Sequence, residues 1–303
     1  MDSNARTRSV RYVFISILAV MAVLVGVTGD KFLPITVEED PVVNTSTTPD
    51  PAKTSTPKPK ATTDPLAADP APPLLDAGDL RTVSSVINKQ KATADALIAR
   101  WWAENGNGTS DEGFVSWAAA QLPPEPNTIQ RQSEQATVKQ LGGSRDPAGD
   151  KAAEWLNEHG CEDVWMSFTS QQVALRSTTD DEAKTDEVKT VLKLASKVAS
   201  AAQDRTGSPA ASQPKPCSGA TKPARSDCSC SYPSTQATMS AAARAYLGKL
   251  SPYRADQYGW MERQVDLAAL YAGLELPSDI GSGALLGELV GQYVLVTRGH
   301  AKP

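Results

Sequence analysis

The chain has 303 residues, with 30 Lys and Arg against 35 Asp and Glu and a net charge of −5. That balance argues against a nucleic-acid binder, which carries a basic stripe, while 40% hydrophobic residues and six Trp exclude disorder throughout. Two histidines, His159 and His300, exclude a His-rich metal cage and any two-histidine mechanism unless these two meet.

Residues 1–11 carry Arg6, Arg8 and Arg11, and residues 12–29, from Tyr12 to Gly29, carry no charge before Asp30 and Lys31. About 18 apolar residues is the lower limit for a helix that spans a bilayer. Basic residues before the span keep that end cytoplasmic, so a transmembrane anchor is expected with the remainder of the chain outside. A cleaved signal peptide is the alternative, with Val27 and Gly29 at its small-residue positions. The membrane is therefore the expected partner of the N-terminal segment. No Cys follows the apolar run to take a lipid.

Residues 30–75 read as an extracytoplasmic linker. From Pro41 to Pro73 the chain is rich in Pro, Thr, Asp and Lys and poor in large apolar residues. Such a segment cannot bury enough surface to offset its ordering entropy, and it should be an extended spacer. The clusters Thr45–Thr48 and Thr54–Thr56 also suit an O-glycosylated stalk.

Residues 76–298 then leave about 230 positions for one helical domain with a hydrophobic centre. Leu80, Val83, Ile87, Ala94, Leu97 and Trp101 recur at helical spacing, and Asn105-Gly106 stops the run. Further helices are predicted near 111–121, 128–141, 148–159 and 181–204, the last with Val188, Leu192, Ala195, Ala199 and Ala202 on one face. A proline-rich coil from Gly207 to Asp227 precedes predicted helices at 235–250, 253–274 and 279–297. No alternating β-branched run is long enough for a sheet, so the domain should be all-α. In the last helix Gly283, Gly287 and Gly291 repeat every four residues, which lets another helix approach closely. That segment is short for a second membrane span and holds Glu288 and Gln292, so a buried core helix is expected.

Cys161, Cys217, Cys228 and Cys230 form an even set on the side where disulfides persist. A Cys228–Cys230 ring would be very small, which leaves Cys161–Cys228 with Cys217–Cys230, or Cys161–Cys230 with Cys217–Cys228. Zinc is the alternative, and the spacing counts against it.

Ser231-Tyr232-Pro233-Ser234 before an Ala-rich helix, then Ala272-Gly273, Pro277-Ser278-Asp279 and Gly283, resemble two signatures of a known family. They are similar to the second and third motifs of the phosphatidic acid phosphatase type 2 superfamily, especially its secreted bacterial acid phosphatases. The resemblance runs from about Asp186 to Val296 and implies a helical bundle at a bacterial cell envelope. The family pattern is K-x6-R-P, then P-S-G-H, then S-R-x5-H-x3-D. Carried over by position, Asp279 stands at the orienting Asp and Glu275 at the nucleophilic His. Ala268 and Ala269 replace the Ser-Arg pair, and Thr235 and Gln236 follow Pro233-Ser234 in place of Gly-His. With Pro209 as the first-motif proline, Ser208 takes the place of Arg and Ala201 the place of Lys.

The resemblance thus implies a vestigial pocket of Ala201, Ser208, Ser234, Gln236, Ala269, Glu275 and Asp279, without the catalytic histidine and cations. Phosphoryl transfer depends on neutralising the equatorial oxygens. One lost donor costs about 3 kcal/mol in the transition state, and a carboxylate at Glu275 would repel phosphate. No metal or other cofactor is implied. The expectation is a membrane-tethered pseudophosphatase with a binding or scaffolding role. An active phosphatase that recruits Arg225, Arg244, Arg254 or Arg263 is one alternative, and a purely structural envelope protein is another. Ser234 also reads as a helix N-cap, as do Ser278 and Asp279. Gln236 would serve as a neutral donor and acceptor. His159 reads as a helix C-terminal residue and His300 as part of a frayed tail.

Overall fold

The structure is a computed structural model in which residues 64–76, 78, 80–106, 110–176, 180–207 and 232–303 are described. They belong to one compact unit, 58–303. The expected N-terminal anchor, most of the linker and the proline-rich coil lie outside the described residues.

Nine α-helices and no strand are found among the described residues: α1 Arg81–Asn105, α2 Asp111–Ala120, α3 Thr128–Gly143, α4 Pro147–His159, α5 Asp163–Arg176, α6 Asp180–Thr206, α7 Thr235–Leu250, α8 Ala255–Tyr271 and α9 Pro277–Thr297. The all-α expectation holds. Helix starts follow capping chemistry. Ser110, Asn127, Asp146 and Ser234 each accept a hydrogen bond from the backbone N–H three residues on, which satisfies a donor that the helix leaves open.

Two segments differ from the sequence expectation. Helix α5 was not anticipated, because residues 164–170 are buried without interruption and therefore show no polar face. The helix expected over 253–274 begins as a 3-10 turn at Pro252–Arg254 and ends at Tyr271. Its end is a Schellman motif. Gly273 takes φ 71°, its N–H donates to Leu270, and the Leu274 N–H donates to Ala269.

Helix α9 is the centre of the domain. It is long and apolar enough to cross a membrane, and 83% of its apolar window is buried inside the protein. Its glycines face the small residues of α7. A Cβ placed on Gly283 would lie 2.9 Å from Ala237 Cβ, one on Gly287 2.6 Å from Ala241 Cβ, and one on Gly291 2.6 Å from Ala245 Cβ. The two helices run parallel in matched four-residue steps, with backbones closer than any larger residue permits. On the other side of α9, Trp102 and Phe114 stack on Tyr293 at 5.6 and 3.8 Å between ring centroids.

Residues 64–75, the end of the expected linker, lie against this bundle. Leu75 is buried and exchanges two hydrogen bonds with the Gln264 side chain, at 3.0 and 2.8 Å. The Trp155 indole N–H donates to the Asp69 carbonyl.

Candidate functional site

The resemblance places its site where α7, α8 and α9 begin or end. The Tyr232–Pro233 bond is cis. Ser234 follows and is fully buried. Its N–H donates to the Asp279 carbonyl at 3.0 Å, and its hydroxyl accepts from the Ala237 N–H at 3.2 Å. Gln203 on α6 fixes the same corner by donating to the Pro233 carbonyl and to Thr235 Oγ1, each at 2.9 Å.

Asp279 is the third residue of α9, with Pro277 in its first turn. Its carboxylate accepts from the Leu276 N–H at 2.9 Å, which closes the helix start. The same carboxylate pairs with the Arg131 guanidinium of α3. Arg131 also donates to Ser278 Oγ at 3.2 Å and stands 3.6 Å from Glu125, while Ser278 donates to Glu134 at 2.6 Å. Burial pushes the Asp279 carboxyl up to about 6, against the pull of Arg131 and the Leu276 N–H.

Of the remaining positions, Glu275 and Ala269 are buried, and the Ala269 carbonyl takes the Leu274 N–H of the Schellman turn. Gln236 is buried and donates to Asn157 Oδ1 at 3.5 Å, and Asn157 donates to the Ala268 carbonyl at 3.3 Å. Ser234 and Asp279 are therefore joined directly, and Gln236 is linked through α4 to the end of α8. Ala201 is half-buried on α6. Ser208 lies outside the described residues.

Arg131 is the residue that sequence reasoning missed. The pocket was expected to lack cations, and a guanidinium stands at its Asp. Arg131 lies upstream of the stretch that carries the resemblance, and on α3 the neighbouring Ile129 is exposed, so no apolar pattern marks this face. Of the arginines considered from sequence, Arg244 is held by Glu262 at 2.9 Å and by Glu288. Arg254 lies over the rings of Phe168 and Tyr258, at 5.3 and 5.6 Å. Arg225 lies outside the described residues.

The histidines are committed elsewhere. His159 Nδ1 meets Asp163 at 2.7 Å, and its Nε2 meets Asp69 at 3.0 Å. Burial lowers its pKa, but the two carboxylates outweigh that and hold it above the ordinary value. His300 is tied to the bundle by a contact of 3.2 Å with Glu187, where a frayed tail was expected. Cys161 is disulfide-bonded, while Cys217, Cys228 and Cys230, and with them the connectivity, lie outside the described residues. No group of three or more His, Cys, Asp or Glu among the described residues is placed to hold a metal ion.

Fold and site together define a disulfide-bonded, all-α domain whose junction of α7, α8 and α9 is held by capping hydrogen bonds and an Arg–Asp pair. Comparison with protein-family models, curated proteins and solved structures finds no match.

Proposed function

We propose that this chain is an exported, membrane-tethered, non-catalytic domain of phosphatase ancestry, with a binding or scaffolding role at the cell envelope. The observation that carries the proposal is the occupation of Asp279. Its carboxylate is taken up by the Leu276 N–H and Arg131, where a phosphatase needs an Asp free to orient a nucleophilic imidazole. Glu275, at the nucleophile position, is buried, and Ser234 serves as a helix cap. The Cys161 disulfide supports an oxidising compartment, in keeping with the N-terminal pattern of basic residues and an uncharged run.

An active, divergent phosphatase is the second reading, favoured by one observation, the guanidinium of Arg131 beside Asp279. Against it, that cation is already neutralised by two carboxylates, Asp279 and Glu125. Hydrolysis of a chromogenic phosphate monoester by the purified full chain separates the two. No turnover above buffer is expected. Turnover that disappears in both Arg131→Ala and Asp279→Asn would establish the enzyme instead.

A further inference from the structure

A second cluster, away from that junction, lies between α7, α8, α9 and α1. Arg244 bridges Glu262 and Glu288, and Lys91 of α1 adds a second positive charge near Glu288. Next to this group, four buried polar atoms take no hydrogen-bond partner among the described residues. They are Ser240 Oγ, Glu262 Oε1 and both carboxyl oxygens of Asp266. Asp266 and Ser240 are fully buried, and Glu262 is 1% exposed. Leaving such atoms unsatisfied costs on the order of 1–3 kcal/mol each, so four in one place call for a missing donor.

Their placement follows from helix register. α7 and α8 run antiparallel, with Gly248 beside Ala255, Arg244 on Glu262, and Gln236 joined through Asn157 to Ala268. One turn back from Arg244 on α7 is Ser240, and one turn on from Glu262 on α8 is Asp266. Ser240 therefore lies level with Asp266, and Asp266 shares a helix face with Glu262.

We propose that Asp266 and Glu262 form a buried proton-binding site. Asp266 carries the proton on the helix face it shares with Glu262, where a neutral carboxyl has a donor to offer Glu262 Oε1. One proton thus supplies the donor that the two carboxyls lack. It also balances the charge, since Arg244 and Lys91 offset Glu262 and Glu288 and a neutral Asp266 adds nothing. An ionised Asp266 would be a third carboxylate in the same buried layer, with no hydrogen-bond donor in reach among the described residues.

The surroundings agree. Burial first, and the neighbouring Glu262 second, hold the Asp266 carboxyl well above the ordinary carboxylate range, with Arg244 opposing. α4 presents neutral Asn157 to α8. Arg254 of the 3-10 turn is spent on aromatic rings, and Arg145 lies over Tyr271 at the far end of α8. The bound proton is part of the core, so the domain tightens in acid and loosens as pH rises. This inference is independent of the proposed function.

The test is urea unfolding of the full chain and of Asp266→Asn from acid to alkaline pH, because the amide keeps the shape and supplies the donor without titrating. Above the unfolded-state pKa of about 4, and up to the folded one, the wild-type unfolding constant should rise about tenfold more per pH unit than that of the variant. The variant should equal or exceed the wild type in alkali. Parallel curves would overturn the proposal. If the variant fails to fold, carboxyl 13C NMR of the wild type decides. A neutral-acid signal for Asp266 that persists above pH 4, where an ordinary carboxyl ionises, supports the site, and a carboxylate signal from about pH 4 upward removes it.

Discussion

Arg131 and Asp279 lie 148 positions apart in sequence, yet their ion pair joins the exposed helix α3 to the buried start of α9. Asp279 is fully buried and Arg131 is 20% exposed, so removing the arginine leaves a carboxylate with the Leu276 N–H but without its countercharge. Arg131→Ala should cost about 3 kcal/mol at neutral pH. The pH dependence has a definite sign. Asp279 is raised to about 6 in the folded state, so its contribution is most favourable below about pH 4 and declines as pH rises towards 6. Without Arg131 the folded pKa climbs further and the loss extends into the neutral range. Urea midpoints at pH 5 and pH 7.5 should therefore differ more in the variant than in the wild type.

The match of Gly287 to Ala241 leaves no room for a side chain. Gly287→Val must push α9 off α7, and overpacking of this kind costs about 1–3 kcal/mol or more. Gly299, where a Cβ would meet nothing within 4 Å, gives the contrast in space, although its φ of 74° adds strain of its own. Denaturant unfolding of Gly287→Val and Gly287→Ala should rank the two by side-chain volume.

Arg244 is the shared partner of Glu262 and Glu288. Arg244→Met keeps much of the volume and strands two buried carboxylates, at a cost of about 3–5 kcal/mol. Glu288 is already raised by burial, against Arg244. With the arginine gone, Glu288 should take up a proton more readily still, so the damage is greatest at neutral pH and eases in acid. Thermal unfolding at pH 4.5 and pH 7.5 checks the direction.

His159 clamps the segment around Asp69 to α4 and α5. Its folded pKa is raised, so the clamp is fully present below about pH 6.5 and is lost as pH rises through the folded value. Limited proteolysis of residues 64–76 should be slower at pH 6 than at pH 9, and His159→Gln should remove that difference.

Most of the helical layout could be read from the chain, because amphipathic spacing and a cap residue such as Ser234 act locally. α5 could not, since its residues 164–170 are buried all round and leave no periodicity. The candidate site was legible as short motifs. The structure gives those motifs local causes. Ser234 is a cap, Ala272-Gly273 ends a helix, and Pro277-Ser278-Asp279 starts one. Each is a local backbone requirement of a helix start or end. Arg131 was invisible because its partner lies in another part of the chain, and the polar layer of Ser240, Arg244, Glu262 and Asp266 emerges only when the register of α7 on α8 is known.

The most direct measurement is a titration of the full chain with vanadate, followed at the backbone amides of Ser234, Gln236 and Leu276 and at the Arg131 side chain. A domain whose Asp279 and Arg131 are committed to each other should show no saturable shift at these positions. Saturable binding there, abolished by Arg131→Ala, would mean that the oxyanion site is intact and the non-catalytic assignment is wrong.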